Sequence, residues 1–163
     1  MLQDVFLFTG DVKDNIRLNE KNITDEDIIA AAKTVNVASF IEKLDGGYSH
    51  HVIESGASCS AGQRQLISLA RALAFKPSEL ILDEATANID TETESLIQDA
   101  LGKMMEGRTT IMVAHRLSTI QNADNIIVMH KGRIVEEGTH QELLEKGGIY
   151  YKLYKLQYEH DAA

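Results

Sequence analysis

The sequence lacks features that several large classes of protein require. Its single cysteine, Cys59, excludes an internal disulfide and is consistent with a reducing compartment. No apolar run approaches the roughly 20 residues that cross a bilayer, and no signal-peptide pattern opens the chain. The net charge of −9 has the wrong sign for a surface that follows nucleic-acid phosphates, so we expect no nucleic-acid partner.

One further absence concerns nucleotide chemistry. No G-x-x-x-x-G-K-[ST] loop occurs in the 163 residues, and this loop is the element that cradles a triphosphate. Two segments typical of machinery that holds and cleaves a nucleotide triphosphate are nevertheless present, SAGQRQ at Ser60 to Gln65 and ILDEATANID at Ile81 to Asp90. The sequence therefore predicts part of a nucleotide site.

Composition and periodicity predict one α/β domain. Hydrophobic residues make up 44% and charged residues 25% of the chain, an ordinary globular balance. The first part of the chain has helical patterns, with Thr24 as an N-cap and a helix from Ser60 that the only proline, Pro77, stops. Strands then alternate with helices. This order predicts a helical subdomain followed by part of a parallel α/β core.

Element positions follow from the spacing of apolar residues. The expected helices are Val12 to Leu18, Thr24 to Ala38, Ser60 to about Pro77, Thr91 to Glu106, one with Thr139 and Glu142 as a capping box, and a final one from Tyr150. The expected strands are Leu80 to Leu82, Thr109 to Ala114 and Ile126 to Met129, each buried, with a hairpin turn at Lys131-Gly132 before Ile134-Val135. Tyr48 to Ala57 is expected to be an irregular loop.

Two adjacent carboxylates, Asp83 and Glu84, follow directly after the Leu80 to Leu82 strand. The carboxyl ends of such strands meet at the crevice where α/β folds bind ligands. One carboxylate can hold Mg²⁺, often through water, while the other orients or deprotonates an attacking water. A lone Asp-Glu pair is more simply a solvated strand end, but the continuation Ala85 to Asp90 favours the catalytic interpretation.

Ser60, Ala61, Gly62 and Gln63 open a helix. Small residues leave backbone N–H groups accessible, the helix dipole favours an anion in front of them, and the Ser60 hydroxyl adds a donor. The tetrapeptide has no lysine, so it can supplement a phosphate loop and hardly replace one. Taken alone, it is also compatible with a plain helix start.

Two other polar residues have weaker patterns. His115 follows the Thr109 to Ala114 strand, where an imidazole can reach a γ-phosphate, although a single histidine there is more often structural. Gln3 could orient a water or an ion and is unremarkable on its own. The other histidines show no metal-ligand spacing and are expected at the surface.

Together these residues resemble the nucleotide-binding domain of ABC transporters over essentially the whole chain. The matching motifs are the Q-loop glutamine (Gln3), the signature motif (Ser60 to Gln63), the Walker B strand with its catalytic glutamate (Leu80 to Glu84), the D-loop (Ala87 to Asp90) and the switch histidine (His115). The segment Val5 to Gly10 with Val12 to Ile16 is similar to exporters, and Glu54 to Gly56 stands where exporters carry a loop that contacts transmembrane coupling helices.

The resemblance implies an incomplete P-loop NTPase (ABC ATPase) fold that uses ATP and Mg²⁺. Residues 1–77 would hold the Q-loop, helical subdomain and signature helix, and residues 78–163 the Walker B, D-loop and switch-histidine elements with the C-terminal helices. The implied catalytic residues are Glu84, His115 and Gln3; the implied Mg²⁺ contacts are Asp83 and Gln3; the residues implied to contact ATP are Ser60, Ala61, Gly62, Gln63 and Asp90.

The implied partners are a second ABC nucleotide-binding domain, which meets the first head to tail, and the transmembrane domain of an exporter. Each ATP in such a dimer lies between the phosphate loop of one domain and the signature motif of the other. The implied location is the cytoplasmic face of the cell membrane, reached through that transmembrane domain, and the fragment by itself is expected to be soluble.

The sequence departs from the family pattern in three ways. Cys59 stands where leucine is usual and Ala61 replaces a glycine, and both changes are expected to be tolerated. The adenine-stacking aromatic residue, the phosphate-loop strand and the loop itself precede Gln3 in this family, so we expect the chain to begin inside a domain. We therefore expect the chain alone to bind ATP weakly or not at all, and to be inactive as an ATPase, while it retains the half that acts on a partner's ATP.

The missing strand affects the fold as well. In the family it lies between the Thr109 to Ala114 strand and the Ile126 to Met129 strand, so its absence leaves two unpaired edges. We expect these edges to pair with each other, to pair with another chain, or to be partly disordered.

Three functional interpretations remain open. The chain is the C-terminal piece of the ATPase domain of an exporter, or a natural short chain that docks on an intact ABC domain without catalysis, or part of a soluble ABC-type ATPase of the DNA-repair kind. The exporter-like segment after Gln3 and the lack of coiled-coil heptads disfavour the third.

Overall fold

The computed structural model describes residues 5–53, 59–83, 91–113 and 117–161. The expected site residues Gln3, Glu84, Asp90 and His115 lie outside the described residues, as does the Glu54 to Gly56 loop. The chain divides into two compact units, Met1–Val113 (unit 1) and Ala114–Ala163 (unit 2). Each unit has its own cluster of buried apolar side chains. The expected division after Pro77 concerns motif content and stays a prediction.

Unit 1 combines helices with two short sheets. Its described elements are β1 (Gly10–Asp11), α1 (Val12–Arg17), α2 (Asp25–Thr34), α3 (Ala38–Ile41), a 3₁₀ turn (Gly47–Ser49), β2 (His51–Val52), α4 (Ala61–Ala74), β3 (Glu79–Asp83), α5 (Thr91–Met105) and β4 (Thr109–Val113). Strands β1 and β2 pair antiparallel. Strand β2 lies within the Tyr48 to Ala57 segment that was expected to be an irregular loop, so this expectation is wrong for the start of the segment.

Helix α2 begins and ends for identifiable reasons. The Thr24 hydroxyl accepts a hydrogen bond from the Asp27 N–H, and the Asp27 carboxylate accepts one from the Thr24 N–H, each at 3.2 Å. The predicted N-cap is therefore confirmed. The expected continuation to Ala38 is wrong, because the helix ends at Thr34. Asn36 takes a left-handed conformation with φ of 60°, which asparagine tolerates better than most residues.

Helix α4 is the central helix of unit 1 and packs against α1, α2 and α5. Its apolar residues Leu66, Ile67, Leu69, Ala70 and Leu73 are buried in one cluster with residues of those helices. The predicted helix is confirmed, and it ends three residues before Pro77.

Strands β3 and β4 pair in parallel, with Leu80 opposite Thr110 and Leu82 opposite Met112. Leu80 and Leu82 are buried in the same cluster as α4 and α5. The expectation of strands buried on both faces is wrong, because Ile81 is 70% exposed and Ile111 60% exposed. Parallel strands are usually covered on both faces, whereas the helices in the described part of unit 1 cover one face of this pair.

Unit 2 is a hairpin with two helices. Its described elements are a 3₁₀ turn (Leu117–Thr119), β5 (Ile126–His130), β6 (Arg133–Gly138), α6 (His140–Lys146) and α7 (Ile149–Asp161). The predicted turn is confirmed: Lys131 and Gly132 both have positive φ, 49° and 75°, as a tight two-residue hairpin turn requires. The predicted capping box of Thr139 and Glu142 is confirmed at the start of α6. Val128 is buried whereas Ile127 is exposed, so the expectation of a buried third strand holds for one face.

A carboxylate on β6 caps helix α7. Glu136 accepts hydrogen bonds from the backbone N–H groups of Ile149 and Tyr150, the latter at 2.9 Å. A Cβ added to Gly148 would meet the Glu136 carboxylate, so a side chain at this position would displace the cap. These backbone bonds, first that of Tyr150, hold the pKa of Glu136 below its ordinary value.

The expected fate of the two sheet edges can be checked in part. Within the described residues, β4 pairs with β3 and β5 pairs with β6. Pairing of the remaining β4 and β5 edges with each other, one of the three expected outcomes, would join the two units and stays a prediction. Pairing with another chain stays a prediction. Among the described helices, none combines the length and apolarity that a bilayer crossing needs.

The one-sided burial of β3 predicts unequal effects of matched truncations. Leu80→Ala should destabilise unit 1 by about 2–5 kcal/mol, because it removes buried methyl groups and leaves a cavity. Ile81→Ala should cost at most about 1 kcal/mol, the range of strand propensity. Urea unfolding followed by circular dichroism measures both. Equal losses at the two positions would contradict the one-sided packing.

The Glu136 cap predicts acid sensitivity of unit 2. The pKa of Glu136 is lower in the folded state. The stability that the ionised cap contributes is therefore fully present above the unfolded pKa of about 4.3 and is lost as pH falls through the folded pKa. Glu136→Gln should therefore reduce the difference between the urea midpoints at pH 7 and pH 3. Tyrosine fluorescence follows unit 2, since every tyrosine except Tyr48 lies in it. The exposed Glu145→Gln is the control, and a difference that is unchanged in Glu136→Gln would refute the cap.

Candidate nucleotide-binding site

The start of α4 is held by a reciprocal pair of hydrogen bonds. The Ser60 Oγ accepts from the Gln63 N–H at 3.2 Å, and the Gln63 Oε1 accepts from the Ser60 N–H at 2.9 Å. Ser60 and Ala61 are exposed. The first N–H groups of a helix have no carbonyl partner inside it, so the Ala61 amide and the Ser60 hydroxyl hydrogen are available to an anion at this end.

Gly62 differs from its neighbours because it is buried. A Cβ built at this position would lie 2.8 Å from the Cβ of Thr93 and 3.2 Å from its Oγ1, and closer still to its Cγ2. Thr93 lies in the first turn of α5. The starts of α4 and α5 are therefore in direct contact.

Asp83 is the last residue of β3, and its side chain is exposed. Its position at the carboxyl end of a parallel strand agrees with the expected placement of a Mg²⁺ contact. Within the described residues, no group of three or more His, Cys, Asp or Glu side chains could hold a metal ion. A single carboxylate still suits Mg²⁺, which keeps several waters and takes only one or two protein carboxylates in nucleotide sites.

The described residues fit part of an ATP site. Ser60 to Gln63 and Asp83 all belong to unit 1. They offer a helix start with an exposed Ser60 and Ala61 and one exposed carboxylate, and the sequence has no phosphate loop to complete them. The roles expected of Gln3, Glu84, Asp90 and His115 stay predictions.

A polar contact that the sequence patterns missed connects α4 to residues 6–15. The Arg71 Nε donates to the Asn15 carbonyl at 2.7 Å, and its Nη2 donates to the Phe6 carbonyl at 3.3 Å. Its Cζ lies 5.8 Å from the ring centroid of Phe8, in cation–π range. Burial lowers the pKa of the Arg71 guanidinium, which stays charged at any ordinary pH. The sequence carried no signal for this contact, because it joins segments 56 residues apart.

Asn15 completes this contact from α1. Its side chain accepts from the Phe8 N–H at 2.7 Å and donates to the Phe8 and Asp11 carbonyls at 2.8 and 3.2 Å. Asn15 is 2% exposed, so these bonds are shielded from water. Leu7 is fully buried, whereas Phe6 and Phe8 are half-exposed and meet edge to face at 5.1 Å. The backbone of residues 6–11 is thereby fixed to α1 and α4.

Comparison with known families decides the identity of the chain. The sequence model of the family described as "ABC transporter" matches residues 2–87. The chain belongs to the ABC transporter family. This family assignment confirms the resemblance drawn from the signature and Walker B motifs, and with it the incomplete P-loop NTPase fold of the ABC kind.

Relatives of this ABC transporter chain are much longer than the chain itself. The uncharacterized ABC transporter ATP-binding protein YknV of Bacillus subtilis (strain 168) is 54% identical over 158 residues, which are 97% of this chain and 26% of the relative. The ATP-dependent lipid A-core flippase of Syntrophus aciditrophicus (strain SB) is 48% identical over 159 residues, 98% of this chain and 26% of the flippase. The chain thus spans about a quarter of the length of these relatives.

A solved structure agrees with the fold. The ATP-bound structure of a bacterial Atm1-family ABC exporter superposes with a TM-score of 0.84 at 39% sequence identity, covering 95% of this ABC chain and 27% of that one. The chain is thus similar to the ATP-binding segment of an ABC exporter.

The Arg71 contact predicts a specific loss on substitution. Arg71→Met removes the donor from the carbonyls of Phe6 and Asn15, and a buried acceptor left unpaired costs about 1–3 kcal/mol. Arg71→Lys should recover only part of the loss, because an ammonium lacks the two-pronged geometry of a guanidinium. Urea unfolding gives the stability, and hydrogen exchange of residues 6–11 shows whether this segment loosens first. The control Arg133→Met, at an exposed position on β6, should change neither the stability nor the hydrogen exchange of residues 6–11. Unchanged hydrogen exchange of residues 6–11 in Arg71→Met would contradict the contact.

Proposed function

We propose that the chain is the C-terminal part of the ATP-binding and hydrolysing domain that powers an ABC exporter. It supplies the signature motif, the Walker B strand, the D-loop and the switch histidine. The observation that supports this most is the combination within unit 1 of an anion-accepting start of α4 and a carboxylate at the end of β3, in a sequence without a phosphate loop. The chain would act on a triphosphate that another segment or another domain grips.

Each site residue has a distinct role in this proposal. Bound Mg²⁺-ATP would supply the γ-phosphate and the charge that the site recognises. Ser60 and the first amides of α4 would contact the γ-phosphate of a partner domain's ATP, with Ala61, Gly62 and Gln63 shaping this helix start. Asp83 and Gln3 would contact Mg²⁺ and the attacking water.

The remaining roles fall on residues outside the described part of the chain. Glu84 would hold or accept a proton of the attacking water, a function worth roughly 10²–10⁴ in rate. His115 would contact the γ-phosphate as a hydrogen-bond donor. Asp90, at the end of the D-loop, would face the partner domain.

The proposed partners are a second ABC nucleotide-binding domain and the transmembrane domain of an exporter. The first would place its own phosphate loop opposite Ser60. The second would hold the assembly at the cytoplasmic face of the cell membrane. The lipid A-core flippase among the relatives is consistent with an exported amphipathic substrate, whose selection would rest on transmembrane segments.

An alternative is that the chain is a non-catalytic module that docks on an intact ABC domain through its signature face. The absence of a phosphate loop from the sequence is equally consistent with this alternative and with the first proposal. The two differ in whether a phosphate loop is joined to this chain in the working protein. Adding such a loop should give ATP hydrolysis under the first proposal and none under the second.

Isolated, the chain should fail to bind ATP tightly. Titration with a fluorescent ATP analogue in the presence of Mg²⁺ should give no saturation in the micromolar range, because the amides and lysine of a phosphate loop are absent. Micromolar binding by a single copy of the chain would overturn this part of the proposal.

In trans, the chain should associate with an ABC nucleotide-binding domain that carries the G-x-x-x-x-G-K-[ST] loop, and only when ATP is present. Ser60→Ala should weaken this association roughly tenfold or more, because a hydrogen bond to a charged group contributes about 1.5–3 kcal/mol. Thr24→Ala is the matched control, since Thr24 caps α2 in the same way and loses a similar capping energy of about 1 kcal/mol. Equal weakening by both variants, measured by analytical ultracentrifugation, would refute a phosphate contact at Ser60.

A further inference from the structure

We propose that Thr93 is a positioning residue for the phosphate-facing start of α4, and that position 62 is glycine because α5 packs against it. The inference rests on the proposed function for its link to ATP, and the packing itself can be tested without nucleotide. It assigns to Gly62 an intramolecular role that is separate from any phosphate contact.

The geometry at the contact leaves no room for a side chain. The three atoms nearest to a Cβ built on Gly62 all belong to Thr93: Cγ2, then Cβ at 2.8 Å and Oγ1 at 3.2 Å. Real Cβ atoms do not approach other heavy atoms closer than 3.0 Å. A rotation of Thr93 about χ1 moves Cγ2 and Oγ1 but leaves its Cβ in place, so the clash persists in every rotamer. Any larger residue at position 62 must push the two helices apart.

The glycine is unusual for its place in the helix. Glycine lowers the stability of a helix more than any residue except proline. Gly62 has no positive φ that would require glycine. Gly102 of α5 shows the contrast, because a Cβ there meets nothing within 4 Å. Close helix approach therefore accounts for glycine at position 62 and not at position 102.

The contact joins two parts of the proposed site. Ser60 stands two residues before Gly62 on α4, and Asp90 stands three residues before Thr93 on α5. When Thr93 rests on Gly62, the phosphate-facing end of α4 takes its position from the start of α5.

A double-mutant cycle tests the packing in the chain itself, without ATP. Gly62→Ala should lower the urea midpoint and decrease the ratio of folded to unfolded chain at a fixed urea concentration at least tenfold. Thr93→Gly removes all three clashing atoms, so Gly62→Ala should cost much less in the Thr93→Gly background. Gly102→Ala is the matched control and should raise the midpoint, since it improves helix propensity without a clash. Additive effects of Gly62→Ala and Thr93→Gly would overturn the packing.

The positioning role is tested by ATP-dependent association with a domain that carries a phosphate loop. Thr93→Ser keeps the hydroxyl and removes the Cγ2 that rests on Gly62. It should raise the ATP concentration for half-maximal association several-fold, whereas Leu143→Val, a substitution in the buried cluster of unit 2, should leave it unchanged. A Thr93→Ser value equal to wild type would overturn the positioning role.

The outcomes separate the inference from the proposed function. Suppose that Gly62→Ala and Thr93→Gly are non-additive in urea unfolding but no variant associates in the presence of ATP. This result refutes the proposed function and supports the packing of Thr93 on Gly62. Association that survives in Gly62→Ala/Thr93→Gly but not in Gly62→Ala confirms that glycine is needed for α5. Association lost in both variants shows that position 62 must stay bare for the phosphate, and this result overturns the assignment to Thr93.

Discussion

The packing of helix α4 against α1, α2 and α5 is the constraint on which the rest of unit 1 depends. Its apolar residues form the middle of the buried cluster, its N-terminal turn meets α5 through Gly62, and its C-terminal half holds residues 6–15 through Arg71. The helix rises about 1.5 Å per residue, so groups at its two ends are joined by a rigid rod.

Local chemistry made much of the fold predictable from the sequence. Thr24, Ser60 and Thr139 each pair with a residue three positions later to close a capping box, and this pattern lies entirely within one turn of chain. The Lys131-Gly132 turn was predictable because Gly132 meets the positive-φ requirement of a two-residue hairpin, although Lys131 takes a conformation that lysine rarely adopts. The family motifs in turn required only residue types in a fixed order.

Features set by tertiary packing were not predictable. Apolar runs at β3 and β4 predict burial, but they carry no information on whether a second layer is there to cover Ile81 and Ile111. The continuation of α2 failed because Asn36 turns left-handed and donates its side-chain amide to Asp99, far away in sequence. The Arg71 and Thr93 contacts likewise join distant segments, so no spacing rule within α4 or α5 could reveal them.

The uncovered face of the β3–β4 sheet has a consequence for the behaviour of the polypeptide in a cell. Ile81, Ile111 and Val113 present a row of aliphatic side chains to water, and apolar patches of this kind adhere to other apolar surfaces with little selectivity. Chaperones and quality-control proteases act on such surfaces. The lifetime of the free polypeptide would then be governed by how quickly a matching layer reaches this face, and its abundance would follow that of whatever supplies the layer.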